Sequence, residues 1–118
     1  MLVLSVFLSP LSSNARYNQT CVVKYMTQSG WSKKYTVDVT FMMGSELNTA
    51  TNSYNYSMYS TYAIIFWDKG QATVIKLSSY LTCGNEVTKT CITSAYGPLK
   101  GKDQDDDEWS VCISDYCI

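Results

Sequence analysis

Residues 35–41, YTVDVTF, decide the fold class of this chain. Apolar and polar side chains alternate here with a period of two, which predicts a β-strand with one covered face and one face in water. Strands of this kind are typical of antiparallel sheets. Residues 20–28, TCVVKYMTQ, have the same β-branched and aromatic bias, and Ser29-Gly30 provides a turn between the two segments. The two segments therefore predict a β-hairpin.

A short helix is predicted near residues 46–52, directly after this hairpin. Ser45 is a favourable N-cap, and Glu46 lies in the first turn, where the helix dipole stabilises a carboxylate. Leu47 and Ala50 fall on one face of the helix, three residues apart. A helix of this length is unstable alone, so we expect that face to pack on the sheet.

Two further segments, residues 62–67 (YAIIFW) and 71–78 (QATVIKLS), predict a second hairpin around the turn Asp68-Lys69-Gly70. Residues 109–114 (WSVCIS) predict a final strand. Residues 79–101 show no periodicity and are expected to form an irregular loop.

The predicted fold is mainly β, at the margin of α+β: a curled antiparallel sheet of about five strands with one short helix. A small closed barrel is the alternative. The predicted core consists of Val37, Val39, Phe41, Ile64, Phe66, Trp67, Val74, Trp109 and Val111.

The first fifteen residues resemble a secretion signal. Residues 1–11, MLVLSVFLSPL, are apolar and uncharged, and Ser13 and Ala15 form the small-residue pattern that a signal peptidase accepts. We expect residues 1–15 to be a signal peptide and residues 16–118 to be one domain, secreted or periplasmic. No apolar run reaches the roughly 18 residues of a transmembrane helix, so we expect no membrane span.

Composition removes several classes of function. The 118 residues include 9 basic and 10 acidic side chains, for a net charge of −1, which gives no electrostatic signal for nucleic acid. The sequence has no histidine, so His-based acid–base catalysis, Ser-His-Asp triads and His-containing metal sites are excluded. The sequence predicts no cofactor and no enzymatic activity.

Five cysteines suggest disulfides in an exported chain. The short spacing favours Cys83–Cys91 first and Cys112–Cys117 second, with Cys21 unpaired and buried. The latter pair requires a chain reversal at Ser114-Asp115. A long-range bridge from Cys21 to a C-terminal cysteine is the alternative, and the spacings do not match those of a zinc site.

Tyrosines are concentrated in residues 54–62, YNYSMYSTY. Tyr54, Tyr56 and Tyr59 are interleaved with Asn, Ser and Met, and we predict that these three side chains bind a ligand, either a glycan or a protein. The alternative is that they fill space in a small sheet.

An acidic run, residues 103–108, carries five carboxylates. Asp103, Asp105 and Asp107 are weak candidates for a calcium site, because carboxylate oxygens suit Ca²⁺. The EF-hand pattern fails, since Glu108 stands where glycine is required and Ser114 where the final glutamate is required. A solvated acidic turn is the favoured interpretation, so the sequence predicts no metal.

A longer pattern joins several of these segments: GSELNTAT at 44–51, the tyrosine segment, YAIIFW at 62–67, QATVIK at 71–76, GKDQ at 101–104, and then Trp109 and Cys112. In this order the chain resembles small secreted or periplasmic proteins of unknown function from Bacteroidetes-type bacteria, over roughly residues 35–117. The resemblance implies export from a bacterium and transfers no catalytic residue.

These observations predict an exported, non-enzymatic binding or interaction module, with carbohydrate among the candidate ligands. The alternative is a small inhibitor or immunity-type protein that blocks a partner enzyme.

Overall fold

The computed structural model describes residues 4–5, 16–79, 81–94 and 97–113. Its strands and helices follow in chain order: β1 (Leu4–Ser5), β2 (Tyr17–Thr27), β3 (Gly30–Trp31), β4 (Tyr35–Met43), α1 (Gly44–Thr51), β5 (Thr61–Phe66), a 3₁₀ turn (Asp68–Gly70), β6 (Gln71–Leu77), α2 (Lys89–Thr93), β7 (Leu99–Lys102) and β8 (Glu108–Cys112).

Six antiparallel strands close into a barrel in the order β6-β5-β4-β2-β8-β7, and β7 pairs back onto β6. The mainly β prediction is confirmed, and the closed barrel is formed rather than an open sheet of about five strands. The two predicted hairpins correspond to β2–β4, with β3 on its connection, and to β5–β6.

The β6–β7 seam is short. Only Lys76↔Lys102 and Leu77↔Gly101 are paired there. A Cβ on Gly101 would stand 2.4 Å from the Lys76 carbonyl oxygen, so glycine is required for the two strands to approach this closely.

Beyond these two residue pairs β6 and β7 separate, and a side-chain amide takes over the hydrogen bonds to β6. Gln104, in the turn after β7, accepts a hydrogen bond from the Val74 backbone N–H at 3.0 Å and donates to the Ala72 carbonyl at 3.2 Å. These are the two bonds that a neighbouring strand would make, so Gln104 satisfies backbone groups of β6 that β7 does not reach.

The barrel interior draws apolar side chains from all six strands. Residues of the opposite phase on β4, β5 and β6 belong to a second cluster, which therefore lies on the outer face of the wall. The interior cluster on the strands is Cys21, Val23, Val39, Phe41, Met43, Ala63, Ile65, Ile75, Leu77, Leu99, Trp109 and Val111. The outer cluster is Met42, Leu47, Tyr62, Ile64, Ala72 and Val74. Leu47 comes from α1, so this helix packs on the sheet as predicted.

The predicted core is wrong at Phe66, which is 45% exposed. Phe66 is the last residue of β5, and its side chain points to the outer face of the sheet, like those of Tyr62 and Ile64. It lies at the end of the strand away from α1, so the helix does not cover it. Val37 and Trp67 are only partly buried. The other predicted core residues are buried.

The stretch from 79 to 101 contains more regular secondary structure than predicted. It contains α2, whose N-cap Thr88 accepts a hydrogen bond from the Cys91 backbone N–H, and the start of β7. Val87, Cys91 and Ile92 join the interior cluster, so this segment contributes to the core.

The predicted Cys83–Cys91 disulfide is confirmed, with a Cα–Cα distance of 5.0 Å. Cys21 is free and buried, also as predicted. Cys112 is disulfide-bonded, but its predicted partner Cys117 and the expected reversal at Ser114-Asp115 lie outside the described residues. The Cys112–Cys117 pairing stays a prediction.

The predicted signal segment also lies outside the described residues, except for β1. There Leu4 pairs with Ala72 and Ser5 with Gln71, at the end of β6 opposite the seam. The signal peptide stays a prediction. Within the described ranges, no helix is both long and apolar enough to cross a membrane.

Candidate functional site

The tyrosine loop, residues 52–60, connects α1 to β5 and carries the most exposed aromatic side chains among the described residues. Tyr54 is 99% exposed and Tyr59 is 86% exposed, with Met58 at 53% between them. Tyr56 differs, because it is partly buried against the outer cluster. Two of the three predicted ligand-binding tyrosines thus face solvent and the third faces the protein.

The tyrosine loop is bound to α1 through Asn48. The Asn48 side-chain amide donates to the Tyr56 carbonyl and accepts from the Tyr56 backbone N–H, both at 2.9 Å. The helix ends at Asn52, whose left-handed backbone (φ 52) reverses the chain, and the Ser53 N–H bonds back to the Asn48 carbonyl. These hydrogen bonds therefore fix the backbone both where the chain leaves α1 and where it passes Asn48 again at Tyr56.

A second set of contacts holds the far side of the tyrosine loop. The Gly44 N–H donates to the Ser60 carbonyl at 2.8 Å, and the Ser45 N–H donates to the Met58 carbonyl at 3.2 Å. A Cβ on Gly44 would stand 1.7 Å from the Ser57 carbonyl oxygen. The loop can therefore rest on the start of α1 only because residue 44 is glycine.

Tyr56 and Tyr62 form the base of the loop. Their rings meet edge to face with centroids 5.4 Å apart, and the Tyr62 hydroxyl accepts from the Ser57 N–H at 2.8 Å. Burial raises the pKa of both phenols, so both stay protonated across the physiological range. The position of Tyr56 thus suits anchoring the loop, and Tyr54 and Tyr59 are the accessible rings.

An open groove of about 420 Å³ runs between α1 and the tyrosine loop. It is lined by Ser45, Asn48, Thr49, Asn52, Ser53, Tyr54 and Met58. As far as the described residues go, this lining holds no carboxylate, amine or thiol. It offers neutral hydroxyl and amide groups beside one exposed ring, which suits hydrogen bonding to a neutral polar ligand and does not suit acid–base chemistry.

Sequence reasoning located the tyrosines but missed the amides and hydroxyls of α1. Leu47 is the buried side chain of that helix, so Ser45, Asn48 and Thr49 are left on its other sides. The signal that could have found them is this same periodicity: Asn48, Thr49 and Asn52 fall on the face away from Leu47.

The acidic turn, residues 103–108, has a buried carboxylate at its base. Asp103 is 7% exposed and accepts hydrogen bonds from the Asp105 and Asp107 backbone N–H groups and from the Trp109 indole N–H. Both of its oxygens thus hold donors within the turn. In the part of the chain that the structure describes, no three Cys, Asp or Glu side chains come together as metal ligands, the calcium candidates Asp103, Asp105 and Asp107 included.

No family model matches the chain. No curated protein and no solved structure matches it either. Function is therefore inferred from the residues of the site.

Proposed function

We propose that this protein is an exported, non-enzymatic binding module that takes a neutral carbohydrate in the groove between α1 and the tyrosine loop. The observation that carries the proposal is the fully exposed Tyr54 ring beside a lining of amides and hydroxyls. A sugar has an apolar C–H face and a rim of hydroxyls. An aromatic face and neutral hydrogen-bonding groups complement these two features.

The fixed shape of the tyrosine loop supports binding. Ordering a flexible loop on association costs free energy, and that cost is smaller when the free protein already holds the bound conformation. Asn48, Gly44 and Tyr62 supply the contacts that hold this loop. Tyr54 is thereby presented from a defined position.

Export is the other part of the proposal. The Cys83–Cys91 disulfide is typical of an oxidising compartment, and the apolar segment 1–11 with its small-residue pattern fits a secretion signal. The resemblance to small exported bacterial proteins agrees with both. We propose secretion or a periplasmic location.

One observation favours the alternative, an inhibitor or immunity-type protein. Tyr54, Met58 and Tyr59 form an exposed, largely apolar surface on a fixed loop. Aromatic residues and Met are enriched in protein–protein interfaces, so the same surface would fit a pocket on a partner enzyme.

A glycan array probed with the full chain, followed by calorimetry on any retained neutral glycan, tests the proposal. Tyr54→Ala should weaken glycan binding at least about fivefold, since one lost stacking contact is worth about 1 kcal/mol. Phe66→Ala is the matched control, because it removes an exposed aromatic ring outside the groove, and it should leave the affinity unchanged.

Two results would contradict carbohydrate binding. One is an array on which no neutral glycan is retained. The other is equal affinity of wild type and Tyr54→Ala for a retained glycan. Capture of one envelope enzyme that the wild type inhibits and Tyr54→Ala does not would instead establish the inhibitor function.

A further inference from the structure

A row of three residues crosses the outer face of the barrel on β7, β8 and β2. Lys100 pairs with Ser110, and Ser110 pairs with Lys24, so all three point to the same side of the sheet. Adjacent strands are about 4.8 Å apart, which places the Cα atoms of the two lysines about 10 Å from each other. Ser110 lies between them.

Trp31 lies over this row. The Lys24 ammonium is 5.0 Å from the centroid of the Trp31 ring, and the Lys100 ammonium is 4.9 Å from it. Ser110, between the two lysines in the sheet, is only 3% exposed. Both lysines are thus held at one indole.

The Trp31 ring is positioned by the β2–β3 hairpin. Trp31 pairs with Met26, and the next residue, Ser32, donates its backbone N–H to the Tyr25 carbonyl at 2.7 Å and accepts from the Tyr25 N–H through its hydroxyl at 3.0 Å. The hairpin therefore holds the indole in place on the barrel wall without a ligand.

Among residues 16–79, 81–94 and 97–113, Lys24 and Lys100 have no carboxylate partner, whereas Arg16 pairs with Glu46 and Lys102 with Asp106. The two ammonium groups repel each other, whereas both are attracted to the same indole ring. An anion placed between them would gain from both charges.

The basic strip continues from Lys100 toward β6. An open groove of about 350 Å³ is lined there by three lysines and three acids, Lys76, Lys100 and Lys102 with Asp103, Asp106 and Glu108. Lys102 pairs with Glu108 in the sheet and forms an ion pair with Asp106, and both oxygens of Asp103 already accept hydrogen bonds. Within the described ranges Lys76 has no ion-pair partner.

We propose that Lys24, Trp31 and Lys100 form a second binding site, for the carboxylate or sulfate groups of an acidic polysaccharide, with Lys76 as its extension. From β2 to β6 the strip crosses three strand spacings, about 14 Å, which exceeds a single small anion and suits a polymer with repeated charges. The indole offers an apolar face for a sugar ring.

Binding of the full chain to polygalacturonate and to heparin, which present carboxylates and sulfates respectively, tests this site. The double variant Lys24→Gln/Lys100→Gln should bind the preferred polymer at least about tenfold more weakly, because it loses two charged hydrogen-bond donors. Lys69→Gln/Lys89→Gln is the matched control: it removes the same charge from two exposed lysines outside the strip. The affinity of this control for the polymer should stay within about twofold of wild type, because salt screens charges that lie far from the site.

Further variants test whether binding depends on the lysine charges or on the Trp31 ring. Lys24→Arg/Lys100→Arg should retain binding, which confirms that charge is required and that the fold survives change at both positions. Trp31→Leu should weaken binding with the net charge unchanged. Tyr54→Ala should have no effect, so that failure of this site and failure of the tyrosine-loop groove are distinguishable.

The proposal would be overturned by any of four results: no binding of either polymer, equal weakening in the Lys69/Lys89 control, equal affinity for duplex DNA, or equal affinity for inorganic sulfate alone. The third would indicate unspecific attraction to polyanions, and the fourth a site for one small anion.

Discussion

Replacement of Asp103 by alanine is expected to destabilise the barrel more than any other single change in the acidic turn. The Asp103 carboxylate accepts from the Asp105 N–H at 2.9 Å, the Asp107 N–H at 3.0 Å and the Trp109 indole N–H at 2.8 Å. Trp109 is fully buried in the interior cluster. The Asp103 carboxylate thus accepts hydrogen bonds from both the β7–β8 turn and the largest core side chain.

The magnitude follows from the separate bonds. Loss of the indole acceptor leaves a buried N–H without a partner, which costs about 1–3 kcal/mol. The two backbone N–H groups belong to a solvent-facing turn and can rebind water, so we assign them about 1 kcal/mol each. The sum is about 3–5 kcal/mol, a large share of the stability of a domain of this size. It corresponds to a fall in Tm of roughly 15 °C or more.

Thermal unfolding followed by near-UV circular dichroism measures this loss, since the buried Trp109 contributes to that signal. Asp105→Asn is the control, because it removes one carboxylate from the same turn at an exposed position and should change stability by less than about 0.5 kcal/mol. Millimolar calcium should leave the wild-type Tm unchanged, since both Asp103 oxygens already hold donors.

A Tm for Asp103→Ala equal to that of Asp105→Asn would refute the reasoning. It would mean that the indole N–H finds another acceptor and that the turn keeps its shape without the carboxylate. A calcium-dependent rise in Tm that Asp103→Ala abolishes would replace the structural role of Asp103 by a metal-binding one.

Three further predictions follow from burial and from the chain terminus. Phe66→Ala should lower the free energy of unfolding in chemical denaturation by less than about 1.5 kcal/mol, because Phe66 is half-exposed. Phe41→Ala in the interior should lower it by about 3–5 kcal/mol. Equal losses would show that the assignment of the two faces is wrong. Burial, with a smaller contribution from Asp38, raises the pKa of the Cys21 thiol from 9.0 to about 12. The unfolded chain therefore loses this proton first, and the free energy of unfolding should fall between about pH 9 and pH 12 relative to Cys21→Ala. Parallel pH curves for the two proteins would exclude this effect. Intact-mass measurement of the exported protein should show loss of residues 1–15, and a mass that includes Met1 would exclude a cleaved signal.

Local sequence patterns were sufficient for the elements whose two faces differ. The alternation in β4 predicted both the strand and the burial of Val39 and Phe41, and α1 was predicted from the apolar position Leu47. The predicted N-cap Ser45 is wrong, because the helix already begins at Gly44 and Met43 at the N-cap position makes no side-chain cap. The pattern failed at residues 62–67, because a continuous apolar run does not show which residues face inward. Phe66 was placed in the core for that reason, although it lies beyond the cover of α1.

The candidate sites could be predicted from the sequence only in part. The exposure of Tyr54 and Tyr59 could be predicted because their neighbours in the chain are polar. The partial burial of Tyr56 depends on Asn48 and Tyr62, which only the fold brings to it. The Lys24–Trp31–Lys100 arrangement joins residues up to 76 positions apart, and its register on β8 has no local signal in the sequence.

The pairing of β2 with β8 also determines when the protein can fold. Residues 22–25 find their partners at 109–112, near the other end of the chain, and the β6–β7 seam likewise requires residues 101 and 102. Closing loops of this length carries an entropic cost before any contact compensates for it, which slows folding. Barrel closure therefore requires the chain through residue 112. Fragments that stop before β8 should fail to close the barrel, because β8 is the strand that joins β2 to β7.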